Sequence, residues 1–127
     1  MQNNVLAFTQ ALSAGELIDA TSLAADAGIG WPVGVHKAVH AAVARIAQGN
    51  TDDALWELLF AARIQAREMA RKDADASEVA VQAVVGIRRG KGAVVHVQMV
   101  VGLDEETQTP CIVFLKPAFL EQQAPPA

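Results

Sequence analysis

The stretch at 78–102, EVAVQAVVGIRRGKGAVVHVQMVVG, decides the fold that this sequence predicts. On both sides of RRGKG, valines recur at alternate positions, which is the pattern of half-buried strands joined by a tight turn. A third apolar run, CIVFL at 111–115, follows the polar segment LDEETQT. These patterns predict a three-stranded antiparallel meander with strands near 78–88, 92–102 and 110–116.

The alternation of side chains also predicts which face of this sheet is buried. We place Val84 opposite His96, and Val113 near Met99, because this register makes one face wholly apolar. The other face is then half polar, and it carries Gln82, Val84, His96, Gln98, Val100, Ile112, Phe114 and Lys116. Such a face is typical of a homodimer contact or of a groove for a partner, so we predict that these residues bind a protein.

Helical spacing dominates the chain before the meander. Apolar residues three and four positions apart predict two long helices, near 34–48 and 51–72. Asn50 or Thr51 is expected to cap the second helix. Asp52 then lies in its first turn, where the helix dipole favours negative charge.

Shorter elements precede these helices. The pattern predicts a short helix that ends at Gly15, an extended segment at ELIDAT and a second short helix that ends at Gly28. The sequence therefore predicts an α+β fold, with N-terminal helices packed on one face of the C-terminal meander. Residues 1–117 form a single domain in this prediction, and the polar, proline-rich residues 118–127 form a flexible tail.

Composition and charge argue against several classes of protein. The formal net charge of −4 gives no footprint for a nucleic-acid backbone, so nucleic-acid binding is not expected. The basic tip with Arg88, Arg89 and Lys91 is expected to be a solvated turn that discourages edge-to-edge sheet pairing. With one cysteine, no signal-peptide pattern and no apolar run of about 18 residues, the sequence predicts a cytoplasmic protein that is not inserted in a membrane.

The segment AGIGWPVGVHKAVH, at 27–40, contains candidate ligand-binding residues. His36 and His40 are one helical turn apart and suit two positions of a zinc or nickel ion, but no third ligand follows at a helical offset. Trp31 offers a flat surface for stacking, although a buried anchor before a helix that starts at Pro32 explains the same residues. We therefore predict no metal and no cofactor, and we keep Trp31, His36 and His40 as candidate ligand-binding residues.

The sequence offers few candidates for catalysis. Cys111 lies in an apolar strand, which favours a buried and inert thiol, and no serine lies in a nucleophile elbow. Tyrosine is absent from the chain. Glu57 with Arg63 or Arg67 is more typical of a surface ion network than of acid–base chemistry. These observations predict a protein that is not an enzyme.

Three segments, ELIDAT…AADAGIGWPVGVHKAV, DDALWELLFAAR and VVHVQMVVGLDEETQTPCIVFLKP, resemble a family of small bacterial proteins of unknown function. That family is encoded on conjugative plasmids, phages and related mobile elements. The resemblance covers roughly residues 8–117 and implies an accessory protein of a mobile element, with no catalytic residues to carry over. One departure is that His36, Lys37 and His40 stand where the family commonly has Thr-Arg and a later Trp, so a metal site there would be private to this chain.

Together, these features predict a non-enzymatic, protein-binding accessory protein of a bacterial mobile element. It is expected to self-associate as a homodimer through the half-polar sheet face. The alternative that the sequence leaves open is a small-ligand-binding protein or an enzyme, with a pocket near Trp31 and His96.

Overall fold

The computed structural model describes residues 4–86 and 92–117. In chain order, its elements are β1 (Asn4–Leu6), α1 (Phe8–Ser13), β2 (Leu17–Asp19), α2 (Thr21–Asp26), β3 (Val33–His36), α3 (Lys37–Ala47), α4 (Thr51–Lys72), β4 (Glu78–Val85), β5 (Ala93–Asp104) and β6 (Pro110–Leu115). The basic tip at 87–91 and the tail at 118–127, for which the sequence predicts a solvated turn and a flexible segment, lie outside the described residues.

The six described strands form one mixed sheet in the order β1-β5-β6-β3-β2, and β4 also pairs with β5. β4 and β1 lie along the same edge of β5, because β4 pairs with 93–100 and β1 pairs with 102–104. β6 pairs with 98–103 on the opposite edge of β5 and joins β5 to β3. The β1–β5 and β3–β6 pairs are parallel, and the other pairs are antiparallel.

The predicted architecture, N-terminal helices on a three-stranded antiparallel meander, is wrong. In the described chain, three N-terminal strands join the sheet, and only α4, with 22 residues, is a long helix. The helix predicted near 34–48 is α3, which has 11 residues and begins at Lys37, because Val33–His36 forms β3. Val33, Gly34 and Val35 are all buried, so this four-residue run lacks the alternation of buried and exposed positions that marks a half-buried strand. Pro32 therefore precedes a strand and does not start a helix.

Gly34 lies in β3, next to the side chains of Leu17 from β2 and Phe8 from α1. A Cβ atom added to Gly34 would lie 3.0 Å from Leu17 Cδ1 and 3.0 Å from Phe8 Cε1. Phe8 and Leu17 belong to a small apolar cluster with Cys111 and Val113. The first turn of α1 therefore covers part of the sheet face that lies opposite the main core.

We expect Gly34→Ala to lower the free energy of unfolding by about 1–3 kcal/mol, because the packed side chains of Leu17 and Phe8 would have to move by a few tenths of an ångström to admit a methyl group. Gly30→Ala is the matched control, since a Cβ atom added there meets nothing within 4 Å. Urea denaturation of the wild type and both variants measures the difference. Equal stability of Gly34→Ala and the wild type would contradict this packing.

The main core lies between the other sheet face and the helices α2, α3 and α4. Buried and exposed residues alternate along β4 as predicted, and its buried side chains face this core. The β4–β5 register differs from the predicted one by two residues, because Gln82 and not Val84 lies opposite His96. An even shift leaves every side chain of β4 and β5 on its predicted face.

The β5–β6 register differs from the prediction by one residue, and this shift exchanges the faces of β6. Met99 pairs with Phe114, whereas the prediction places Met99 near Val113. Ile112 and Phe114 therefore face the main core and do not lie on the outer, partner-binding face as predicted. CIVFL is apolar at every position, so its own pattern does not fix its register.

A side chain of α4 closes the edge of β4 that faces away from β5. The Gln65 side-chain amide donates to the Gln82 carbonyl oxygen at 2.7 Å, and its oxygen accepts from the Gln82 N–H at 3.0 Å. Near the end of β4, the Glu57 carboxylate accepts a hydrogen bond from the Gly86 N–H at 2.9 Å. The sequence predicts an arginine partner for Glu57, and the described structure gives it this backbone donor.

Candidate functional site

A groove of about 470 Å³ runs between α3 and β5. α3 lines one wall with apolar side chains one turn apart, from Ala38, Ala42 and Ile46. The other wall is formed by 94–97 of β5 together with Lys116 and Pro117, which follow β6. The groove is therefore apolar along its length and borders a strand.

The groove exists because β6 does not reach the N-terminal end of β5. Leu115, the last residue of β6, pairs with Gln98, whereas β5 begins at Ala93. Along 93–97, no strand of the described residues pairs with the β6 side of β5. The alanines of α3 fill little of the space that this short strand leaves beside the helix.

The backbone of β5 presents hydrogen-bonding groups to the groove. Residues directly opposed in an antiparallel pair point their N–H and C=O groups either both toward each other or both away. Gln82 points these groups away from β5 and toward Gln65, so its partner His96 points its own groups away from β4. Val94 lies two residues from His96 and has the same orientation. The N–H and C=O groups of Val94 and His96 therefore face the groove.

Two residues with basic side chains border the groove. Lys116 and His96 are exposed, and neither forms an ion pair with an acid in the part of the chain that the structure describes. The chain as a whole carries a formal net charge of −4. Lys116 therefore places a local positive charge at an otherwise apolar site.

The predicted partner-binding residues do not all lie on one exposed surface. Those on the outer face of β4 and β5 that are exposed or half-buried are Gln82, Val84, His96 and Gln98. The buried ones are Val100, Ile112 and Phe114. Lys116 lies at the groove. Only His96 and Lys116 of the predicted set line the groove itself.

A second cavity, of about 290 Å³, lies where β2, α2, α3 and α4 meet. His40, Asp19 and Asp52 contribute polar groups to its wall. Asp19 is already engaged, since its Oδ1 accepts a hydrogen bond from the Thr21 N–H at 2.9 Å. Across the described ranges, no group of three or more His, Cys, Asp or Glu residues is placed to hold a metal ion. We assign no metal to this cavity.

The predicted ligand-binding residues do not form one site. His36 is the N-cap of α3, because its Nδ1 accepts a hydrogen bond from the Ala38 N–H at 3.1 Å. His40 lines the second cavity. Trp31 is 45% exposed and lines neither of the two cavities.

The alternative pocket near Trp31 and His96 does not form either. Trp31 precedes Val33, which aligns through β6 with Val101 of β5. Five residues of extended strand separate Val101 from His96, which corresponds to about 17 Å. Trp31 and His96 therefore lie toward opposite ends of the sheet.

Asp104 is a buried charged residue to which the sequence interpretation assigned no role. It is 2% exposed, and its carboxylate accepts hydrogen bonds from the Thr9 hydroxyl, the Thr9 N–H, the Thr107 hydroxyl and the Glu106 N–H. The bond from the Thr9 hydroxyl is the main cause that lowers the pKa of Asp104, and burial opposes it. These contacts tie the start of α1 to the end of β5. An aspartate at the end of an apolar strand, with a threonine three residues later, is the sequence signal for such a turn.

Cys111 is buried in the small cluster with Phe8 and Leu17, as predicted. Burial, and to a smaller extent the charge of Asp104, raises the pKa of the Cys111 thiol. A thiol with a raised pKa stays protonated at neutral pH, and the thiolate is the nucleophilic form. Cys111 therefore contributes to the packing of this cluster.

Comparison with known proteins found no match among protein-family models, curated proteins or solved structures. The resemblance to proteins of mobile elements therefore stays a prediction. None of the helices in the described ranges combines the length and the apolar character needed to cross a bilayer.

Proposed function

We propose that this chain is a non-enzymatic protein-binding domain whose groove between α3 and β5 holds a segment of a partner protein. The observation that supports this proposal is the groove, which combines an apolar helix wall with the exposed backbone of a strand. Grooves of this composition suit peptide segments, because the walls bury apolar side chains and the strand binds the peptide backbone. The resemblance to mobile-element proteins supports an accessory role in a bacterial cytoplasm.

We expect Ala42→Arg to reduce peptide binding at least tenfold, because a long charged side chain on the apolar wall would fill the groove. The probe is a phage-displayed library of random peptides about twelve residues long. Ala41→Arg is the matched control, since Ala41 is exposed on the same helix and does not line the groove.

Peptides enriched on the wild type should bind the control variant equally well and lose binding to Ala42→Arg. Enrichment of no peptide on the wild type would overturn the proposed function. Equal binding of a peptide to both arginine variants would show that its binding site lies outside the groove. Matched melting curves for the two variants show that the protein remains folded.

Self-association through the outer sheet face is the second candidate function. Val84 and Val94 pair across β4 and β5, and their side chains are 48% and 49% exposed. Two neighbouring valines that remain this exposed favour a contact with a second copy, as proposed for a homodimer. This contact would use the outer face of β4 and β5 and would share Val94 with the groove.

A further inference from the structure

We infer that the groove binds an extended peptide as an additional strand on β5, and that this peptide carries a carboxylate that pairs with Lys116. The inference rests on the proposed function and adds to it the conformation and the chemistry of the ligand. Three features of the groove lead to it: the orientation of the β5 backbone, the size of the side chains on α3 and the charge at the rim.

The backbone of β5 selects an extended ligand. Val94 and His96 together present two N–H and two C=O groups to the groove, and no strand of the described residues binds them. A helix uses its own backbone groups internally, so a docked helix would leave these four groups without partners. A strand aligned with β5 binds all four of them.

The wall formed by α3 selects the side chains of that strand. Alternate residues of an added strand would point toward the helix, as Val95 and Val97 point toward the core. There they meet Ala38 and Ala42, whose short side chains leave room for an apolar residue of ordinary size. The intervening side chains point to the outer face, beside the exposed Val94 and His96.

The charge at the rim selects the polar group. Lys116 has no acidic partner among the described residues, although acidic residues outnumber basic ones in the whole chain by fourteen to ten. A carboxylate on the ligand is the complementary partner for this lysine. Because Lys116 is exposed, the pair should contribute modestly to affinity and mainly favour acidic over basic peptides.

The test uses the full chain and the peptides that the random library enriches. Amide hydrogen exchange, followed by NMR, is measured with and without a synthetic copy of the most enriched peptide. We expect exchange at Val94 and His96 to slow at least tenfold on binding. Exchange at Val95 and Val97 should change little, because these amides already point toward β4. Lys116→Ala should weaken binding about threefold, and Lys72→Ala, at the exposed end of α4, should not change it.

Other results would overturn the inference in distinct ways. Binding that leaves exchange at Val94 and His96 unchanged would mean that the groove holds a peptide without strand addition, and the proposed function would stand alone. Protection that rises with protein concentration in the absence of peptide would assign the edge to a second copy. Slow exchange at Val94 and His96 in the free full chain, independent of protein concentration, would assign the edge to a segment of the same chain. Equal enrichment of acidic and basic peptides would refute the role of Lys116.

Discussion

Phe114→Ala is expected to lower the free energy of unfolding by about 3–5 kcal/mol, the largest effect that we anticipate for a single substitution. Phe114 is 0% exposed and is the largest fully buried side chain of the described core. It pairs with Met99 and faces the helices, so its removal would leave a cavity that neighbouring strands cannot close. Urea denaturation, analysed as a two-state transition, measures the loss.

The control for this prediction is Val84→Ala, on the outer face of β4. Val84 is 48% exposed, so its truncation should change the free energy of unfolding by about 0.5 kcal/mol or less. The register predicted from the sequence places Phe114 and Val84 on the same face and therefore predicts small effects for both. Similar stabilities of the two variants would favour that register over the one in the structure.

Asp104→Asn is expected to destabilise the protein strongly at neutral pH and to flatten its acid denaturation. The asparagine side chain keeps one acceptor oxygen and brings an NH₂ group toward the donors that now bind the carboxylate, two of them from Thr9. A donor placed against another donor leaves buried groups without partners. The measurement is the free energy of unfolding at several pH values between neutral and pH 3.

The direction of the pH effect follows from the lowered pKa of Asp104. A carboxyl group whose pKa is lower in the folded state stabilises the fold above its unfolded pKa, which is close to the ordinary value of 3.8. That contribution is lost as the pH falls from about 4 through the lower folded pKa. The variant lacks this group, so its stability should change less over the same acid range.

Glu105→Gln serves as the control for Asp104→Asn, because Glu105 is the exposed neighbour of Asp104. It should keep both the stability and the acid response of the wild type. An Asp104→Asn variant with the acid response of the wild type would show that other carboxylates govern unfolding in acid.

The sequence predicted most of the helices and strands, but it missed the short strands β1 and β3. α4 was predictable because its apolar positions repeat at helical spacing along 22 residues, Thr51–Lys72. The Asn50 side chain caps it, as one of the two predicted alternatives. β2 lies within ELIDAT, which the sequence predicts to be extended, but its three residues did not indicate that it joins the sheet. β3 has four residues and is buried between two neighbouring strands, so its pattern repeats too few times to be recognised. The predicted sheet therefore lacked the three N-terminal strands, β1, β2 and β3.

Two residues of the predicted site, Ile112 and Phe114, were placed on the wrong face for a related reason. Along CIVFL every residue is apolar, and the register of β6 is set by the turn that Asp104 organises with Thr107 and Thr109. The groove arises from the difference in length between β5 and β6, which is a tertiary property that no local pattern encodes. The burial of the Cys111 thiol was easier to predict, because it follows from the position of Cys111 in an apolar strand.

The Gln65 bridge on β4 hinders copies of this domain from growing into a fibre through the β4 edge. A polymer that propagates strand by strand needs two usable edges on each unit, one to receive a strand and one to present. The amide of Gln65 occupies the presenting edge of β4 by mimicking a peptide group, while the receiving edge lies on β5. A strand added to β5 is therefore not relayed to another copy through Gln82 of β4.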